Sequence, residues 1–293
     1  MRLGHRELQK MLHSRRSAER AFQVAAVSAL MFAIGSLGLL LIDVFLNGIG
    51  KLDWQFITSF PSRKPEEAGI LSALVGSAYL MALTGLAAFP IGVGTALYLE
   101  EYAKDHWFSR LAEVNIANLA GVPSILYGLL GLELFVRSMG LGRTLLAGGL
   151  TMALLVLPIV ILSAREALRA VPPSIKEASF ALGATQWQTI WHQVLPMAFP
   201  GMLTGAILAF SRAIGEAAPM ITVGALAYIA FLPDGPGSAF TVMPIQIFNW
   251  ISRPQRGFAE CAAAGIMVLL AVLLLMNALA VWLRHRTQRR LSL

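Results

Sequence analysis

Apolar residues in this chain come in long runs separated by short polar stretches. A helix needs about 20 apolar residues to cross a bilayer core of about 30 Å, and six runs approach or exceed that length. They are Gln23 to Phe45, carrying only Asp43; Leu71 to Leu99; Val114 to Leu132; Thr144 to Ala164; Val194 to Pro233, interrupted by Arg212 and Glu216; and Cys261 to Leu283. The fifth run is too long for one crossing, since forty helical residues would extend about 60 Å. Pro219, Gly224 and Pro233 offer places to bend or stop. The pattern therefore predicts a span from about Pro196 to Ala218, followed by a second apolar piece, Ile221 to Leu232, near the outer surface or packed within the bundle.

Composition supports a polytopic membrane protein. Only 13% of the 293 residues are charged, against about 25% in soluble domains. The net charge of +7 would suit nucleic acid, but the basic residues gather at the ends of apolar runs, as membrane topology requires. Six spans put both termini on one side. With the termini inside, the inner segments hold fifteen Lys and Arg and the outer segments seven, so the termini are expected in the cytoplasm. The first run is too long for a signal-peptide core and reads as a retained helix. The basic tail from Arg2 to Arg20 is expected to orient the chain and to meet anionic lipid. The outer loop Asn47 to Gly69, with Trp54, Phe56 and Phe60, suits an interfacial segment. Cys261, the sole cysteine, reads as a small packing residue. The histidines show no metal-ligand spacing. The chain has no nucleotide-binding P-loop, so any energy source belongs to another chain.

One polar island breaks the apolar pattern: VPPSIKEASFALGATQWQTIWHQVLP, Val171 to Pro196. The charge count places it in the cytoplasm. Two prolines end the preceding element. Ser174 and Glu177 have the spacing of a capping box, and Ile175, Ala178, Leu182 and Thr185 form a narrow apolar stripe. Gly183 allows a tight turn or a close backbone approach. Leu195-Pro196 then suits the start of the next span. Taken by itself, the island is an amphipathic connector or a docking segment.

Two further groups of residues carry candidate chemistry. Arg212 and Glu216 are four apart, within pairing reach on one helical face. A straight helix from Pro196 would carry Arg212 roughly 24 Å, into the outer half of the membrane. The pair reads either as a buried ion pair that fixes helix packing or as part of an anion path, since the Arg fork matches phosphate. In the third run, Gly121, Gly128 and Gly131 allow close helix approach and Pro123 a kink; Ser124 and Tyr127 are packing or lining residues. Glu133 can pair with Arg137, and Arg137 and Arg143 read as solvated anchors or as attractors of anions.

Several of these stretches carry a family resemblance. Glu177-Ala178, Gly183 and Leu195-Pro196 resemble the cytoplasmic coupling loop of type I ABC-importer permeases; Ser179 and Gln193 stand where that family often has Ala and Ile. Arg212-x-x-Gly215-Glu216-x-Ala218-Pro219, Glu166 to Pro172 and Gly121 to Gly128 resemble the phosphate-importer permeases, in particular the PstA type. The resemblance implies an all-α membrane protein of the MetI-like fold with six transmembrane helices and a cytoplasmic coupling helix. It implies a tail, first helix and outer loop at 1–70, a permease domain at 71–283 and a basic tail at 284–293. Glu177, Ala178, Gly183, Leu195 and Pro196 would couple to an ATPase, and Arg212 and Glu216 would line the path or gate.

The implied machine imports inorganic phosphate with a second homologous permease (PstC-like), two ATPase subunits (PstB-like) and a phosphate-binding protein (PstS-like). ATP and Mg would sit on the ATPase, and this chain would bind no cofactor or metal and perform no catalysis. The alternatives are a permease for molybdate or sulfate, and a membrane scaffold.

Overall fold

The computed structural model describes residues 5–103, 107–225 and 228–291, and all regular structure among them is helical. Twelve α-helices follow in order: α1 His5–Gly48, α2 Trp54–Thr58, α3 Leu71–Leu97, α4 Trp107–Leu119, α5 Ser124–Gly131, α6 Leu145–Arg169, α7 Pro173–Ala181, α8 Gln186–Thr189, α9 Leu195–Ala213, α10 Ala218–Val223, α11 Met243–Ile251 and α12 Arg256–Leu291. Wide π turns extend α3 through Tyr98–Tyr102, extend α5 through Leu132–Ser138, and join α8 to α9 through Ile190–Val194. Among the described residues, five helices are long and apolar enough to cross a membrane, and the bent pair Ser109–Leu119 and Ser124–Ser138 makes a sixth if counted as one span.

The central helix is α6. In its most apolar stretch 61% of residues are buried inside the protein, against 6% for α1 and α12. Those two outer helices present apolar side chains such as Phe32, Leu39 and Leu274 outward, which lipid tolerates and water does not. Small residues bring α3 and α9 onto α6: a side chain at Gly149 would meet Leu83, and one at Gly205 would meet Ser163. Helix association in lipid relies on such close packing because no hydrophobic drive separates helix from solvent there. Leu80, Met152, Val156, Ala209 and Met220 form one core around α6, and Ala96, Leu168, Val194 and Met202 form another nearer α7.

The opposite end is closed by loops. The carbonyls of Pro236 and Ser238 accept from the N–H groups of Leu146 and Leu145, at 2.8 and 2.9 Å, filling positions that a helix start leaves open. The Ser238 hydroxyl also donates to Asp234 and holds that carboxyl below the usual range. Phe56 corrects the expectation of an interfacial loop. It is fully buried and packs on Trp250 at 5.6 Å between ring centroids, while Trp54 stays exposed. Cys261 is buried and free, and its Sγ lies 3.5 Å from the Pro65 carbonyl.

Two expected spans, and the apolar piece after the second of them, change shape. The third is broken by 103° at residues 120–123. The fifth starts at Gln186 and ends at Ala213, earlier at both ends than the expected Pro196 to Ala218. The apolar piece after it is the short helix α10 and an irregular stretch: Met220, Val223 and Ile229 are buried, and residues 226–227 lie outside the described part. Of the basic tail Arg2 to Arg20, expected to meet lipid, the side chains of Arg2, Arg6, Lys10, Arg15 and Arg16 lie outside the described residues, and Arg20 is exposed.

Candidate functional site

The break in the third span opens a cavity of about 290 Å³. Its walls come from residues 119–124 and Tyr127, from Leu155, Val156 and Ile159 of α6, and from Ala209, Arg212, Ala213 and Glu216 at the end of α9. Irregular backbone at membrane depth is tolerated where it is buried in protein or lines a cavity. Here the loose ends are largely tied locally. Gly121 and Val122 donate back to Asn118 and Leu119 at 3.0 and 3.1 Å. The Tyr127 hydroxyl reaches across the break and donates to the Leu119 carbonyl at 2.8 Å. Beyond the break, Gly128 lets α5 lie directly on α10, where any side chain would strike Pro219 and Thr222.

Arg212 and Glu216 both line this cavity, but not as a helical pair. The α-helix ends at Ala213, and Gly215 and Glu216 lie in the turn that follows. Gly215 costs conformational entropy in a helix and Pro219 opens a new helix, so the i,i+4 face does not persist. Among the ion pairs of the described residues, none joins Arg212 to Glu216. Arg212 is exposed and Glu216 half-buried. Arg212 lines the cavity with no ion-pair partner among the described residues, which leaves its donors open to an anion. Ser124 and Tyr127 line the same cavity. The expected Glu133–Arg137 pair is present at 3.1 Å on an exposed surface, and Arg143 lies across Gly224.

The polar island is a helical hairpin. The helix α7 starts at Pro173 with Pro172 before it, and Ser174 makes no capping bond. Proline at the first position has already removed a donor and set φ, so Ser174 falls inside the helix instead of ahead of it. The capping box occurs one helix later, where Thr185 and Gln188 exchange bonds. Gly183 has φ +83° with open space around it, so its task within this chain is the turn. The N–H groups of Gly183 and Ala184 reach back to Phe180 and Ser179, the bonding pattern that closes helices on a left-handed glycine.

The Ser179 hydroxyl lies 2.8 Å from that of Thr189 and ties α7 to α8. Glu177, Ala178 and Gly183 are exposed. Leu195 and Pro196 do not begin the span. They follow the wide turn in which the Leu195 N–H donates to Ile190, and that turn lies where a proline ring would otherwise press on the His192 carbonyl.

Over residues 88–289 the sequence matches the family described as binding-protein-dependent transport system inner membrane component. This chain belongs to that family. It is 32% identical to the probable ABC transporter permease protein YqgI of Bacillus subtilis strain 168, over 85% of this chain and 89% of the relative. It is 33% identical to the phosphate transport system permease protein PstA 1 of Mycobacterium tuberculosis strain CDC 1551 / Oshkosh, over 77% of this chain and 74% of that one. Its fold is that of a chain in the bacterial alginate ABC transporter in complex with alginate pentasaccharide-bound periplasmic protein, with a TM-score of 0.63 and 15% identity over 91% of this chain and 93% of that one. The protein is thus an ABC-importer permease, a multi-pass membrane subunit whose role is transport.

The permease also carries a cluster of ion pairs that sequence reasoning passed over. At the α7 end of the bundle, Glu100 meets Arg165 at 2.6 Å and Arg169 at 2.9 Å. Glu113 of α4 meets the other side of Arg165 at 2.5 Å. Glu101 meets Lys176 of α7 at 2.6 Å. The side chain of Arg165 is 6% exposed, so its charge relies on these carboxylates. Arg165, Arg169 and Lys176 entered the sequence reading as basic residues of an inner segment, Arg169 also within the Glu166 to Pro172 resemblance and Lys176 within the polar island, with no partners assigned to them. The available signal was the pair Glu100-Glu101 standing directly after an uncharged run, level in the bilayer with Arg165 and Arg169 one turn apart.

Proposed function

We propose that this permease moves inorganic phosphate into the cytoplasm and that the α7–α8 hairpin receives the drive from a separate ATPase. The observation that carries the substrate reading is Arg212, unpaired and facing the cavity made by the break in the third span. Its planar fork suits a tetrahedral oxyanion, and the stretch from Arg212 to Pro219 has the spacing of phosphate-importer permeases. Identity of 33% to a phosphate permease over most of both chains supports the same reading. Fold alone names no substrate, as the alginate relative makes plain.

The excess of Lys and Arg on the hairpin's side supports a cytoplasmic location for the hairpin and both termini. The exposed Glu177, Ala178 and Gly183 then offer themselves to an ATPase that carries the ATP and Mg. A second permease completes the path, two ATPase subunits close on ATP, and a phosphate-binding protein delivers at the outer face. Phosphate entering the cavity would exchange water for the Arg212 donors, with Glu216 keeping the anion from being held too tightly. Alternating access follows when the two arrangements of the helices differ in which side the cavity faces.

The deciding experiment is uptake of phosphate, sulfate and molybdate, each alone, by the complete complex in proteoliposomes. Uptake of phosphate well above the other two is expected. Uptake of sulfate or molybdate that equals or exceeds it would replace phosphate as the substrate and leave the permease assignment standing.

A further inference from the structure

The hairpin makes few contacts with the rest of its own chain. No residue of α7 is buried, and its neighbours are chiefly α8 and the wide turn at Ile190–Val194. Yet one residue outside the hairpin holds both of its helices. The Glu101 carboxylate accepts from Lys176 Nζ at 2.6 Å, and the Glu101 carbonyl accepts from Gln186 Nε2 at 2.5 Å. Lys176 belongs to α7 and Gln186 opens α8. The Glu101 side chain is 8% exposed, so its charge has little water to fall back on when Lys176 leaves.

The residue before it completes a junction. Glu100 grips Arg165 and Arg169, both near the end of α6, the helix whose middle turns line the cavity. Glu100 and Glu101 stand side by side in the wide turn Tyr98–Tyr102 that ends α3. Such turns interrupt a helix at a cost and recur at functional positions. Here the turn aims adjacent carboxylates at two different partners, one on the hairpin and one on the central helix.

Resting on the reading of the hairpin as the ATPase-coupling segment, we propose that Glu101 is a force-transmitting clasp. Displacement of α7 passes through Lys176 and Gln186 to the end of α3, and through Glu100 to α6 and the cavity. The competing route is direct: the span from Gln186 to Ala213 is continuous and ends at the cavity. The two routes differ in what happens when the clasp opens.

Ser124 lines the cavity, and Cys261 is the sole cysteine. A Cys261→Ala, Ser124→Cys chain in the complete complex therefore reports cavity access by its labelling rate with a membrane-impermeant maleimide, with and without ATP and vanadate. The nucleotide-dependent ratio is expected to differ clearly from unity in this parent. It falls towards unity in Glu101→Gln and in Lys176→Met, with the amount of chain in the membrane and its recovery with the ATPase unchanged. The swap Glu101→Lys with Lys176→Glu restores most of the ratio, which a purely structural role would not require. Should Glu101→Gln fail to accumulate, Lys176→Met, at 28% exposure the more open partner, carries the test.

A ratio that stays at the parent value in Glu101→Gln and Lys176→Met while Gly183→Pro loses it overturns the clasp and leaves the coupling segment standing. A swap that restores nothing overturns it equally. A parent with no nucleotide-dependent ratio at all defeats the coupling reading, and the clasp with it.

Discussion

Two arginine sites in this permease differ in one respect that separates structure from function. Arg165 is 6% exposed in its side chain and has carboxylates on two sides. Arg212 lines a cavity and takes no ion-pair partner among the described residues. A buried charge held on both sides positions helices, and removing it strands its partners. A charge left open on a cavity wall keeps its donors free for what visits the cavity. The comparison teaches that pairing, more than the presence of charge in an apolar chain, tells the two roles apart.

The largest effect expected from breaking this comparison is at Arg165. Arg165→Met strips Glu113 of its Arg165 partner and leaves Glu100 with Arg169 alone, and breaking such a buried pair costs about 3 kcal/mol or more. Thermal stability of the purified complex and its amount in the membrane should both fall; wild-type values would mean the cluster is decoration.

Next is Arg212→Gln, where the opposite split is expected. Phosphate uptake drops by about 30- to 100-fold, equivalent to about 2–3 kcal/mol of charge-assisted hydrogen bonding, while stability stays within about 0.5 kcal/mol. Arg212→Lys should fall between, because it keeps the charge and loses the fork. Uptake that survives Arg212→Gln intact would turn this residue into a packing element.

A smaller effect is expected at the hairpin. Gly183→Val has open space for its side chain, so its cost is backbone strain alone, about 1–2 kcal/mol at φ +83°. It should appear as fewer phosphate ions moved per ATP hydrolysed, with Gly183→Asn milder. The smallest is Ser179→Ala, which removes the hydroxyl contact to Thr189 and about 1 kcal/mol or less. A loss as large as that at Gly183 would show that the hairpin is tuned as a unit.

The contrast between the arginines was not legible in the sequence. Each is a single basic residue in or beside an apolar run. The spans themselves were legible, because lipid enforces length and polarity on every crossing helix. So was the place of the island in the chain, since its polar residues interrupt two apolar runs. What misled was local spacing. Arg212 and Glu216 have helical spacing, but Gly215 and the approach to Pro219 end the helix between them. Ser174 and Glu177 have capping-box spacing, but Pro172 and Pro173 had already begun the helix. In the third run, Pro123 signalled a kink, yet the 103° break depended on Tyr127 and α10 standing ready to satisfy and support the exposed backbone.

The sequence by itself determined a helical membrane protein, the order of its spans, a polar island between the fourth and fifth apolar runs, and the family that such a pattern marks. These follow from properties that each segment carries alone: apolar length, charge and turn chemistry. The tertiary structure decided which charges are partnered, where the broken span opens a cavity, and how Glu100 and Glu101 tie the hairpin to the bundle. Those depend on residues as much as 85 positions apart meeting at hydrogen-bond distance, and no local pattern encodes the distance between helices that have yet to pack.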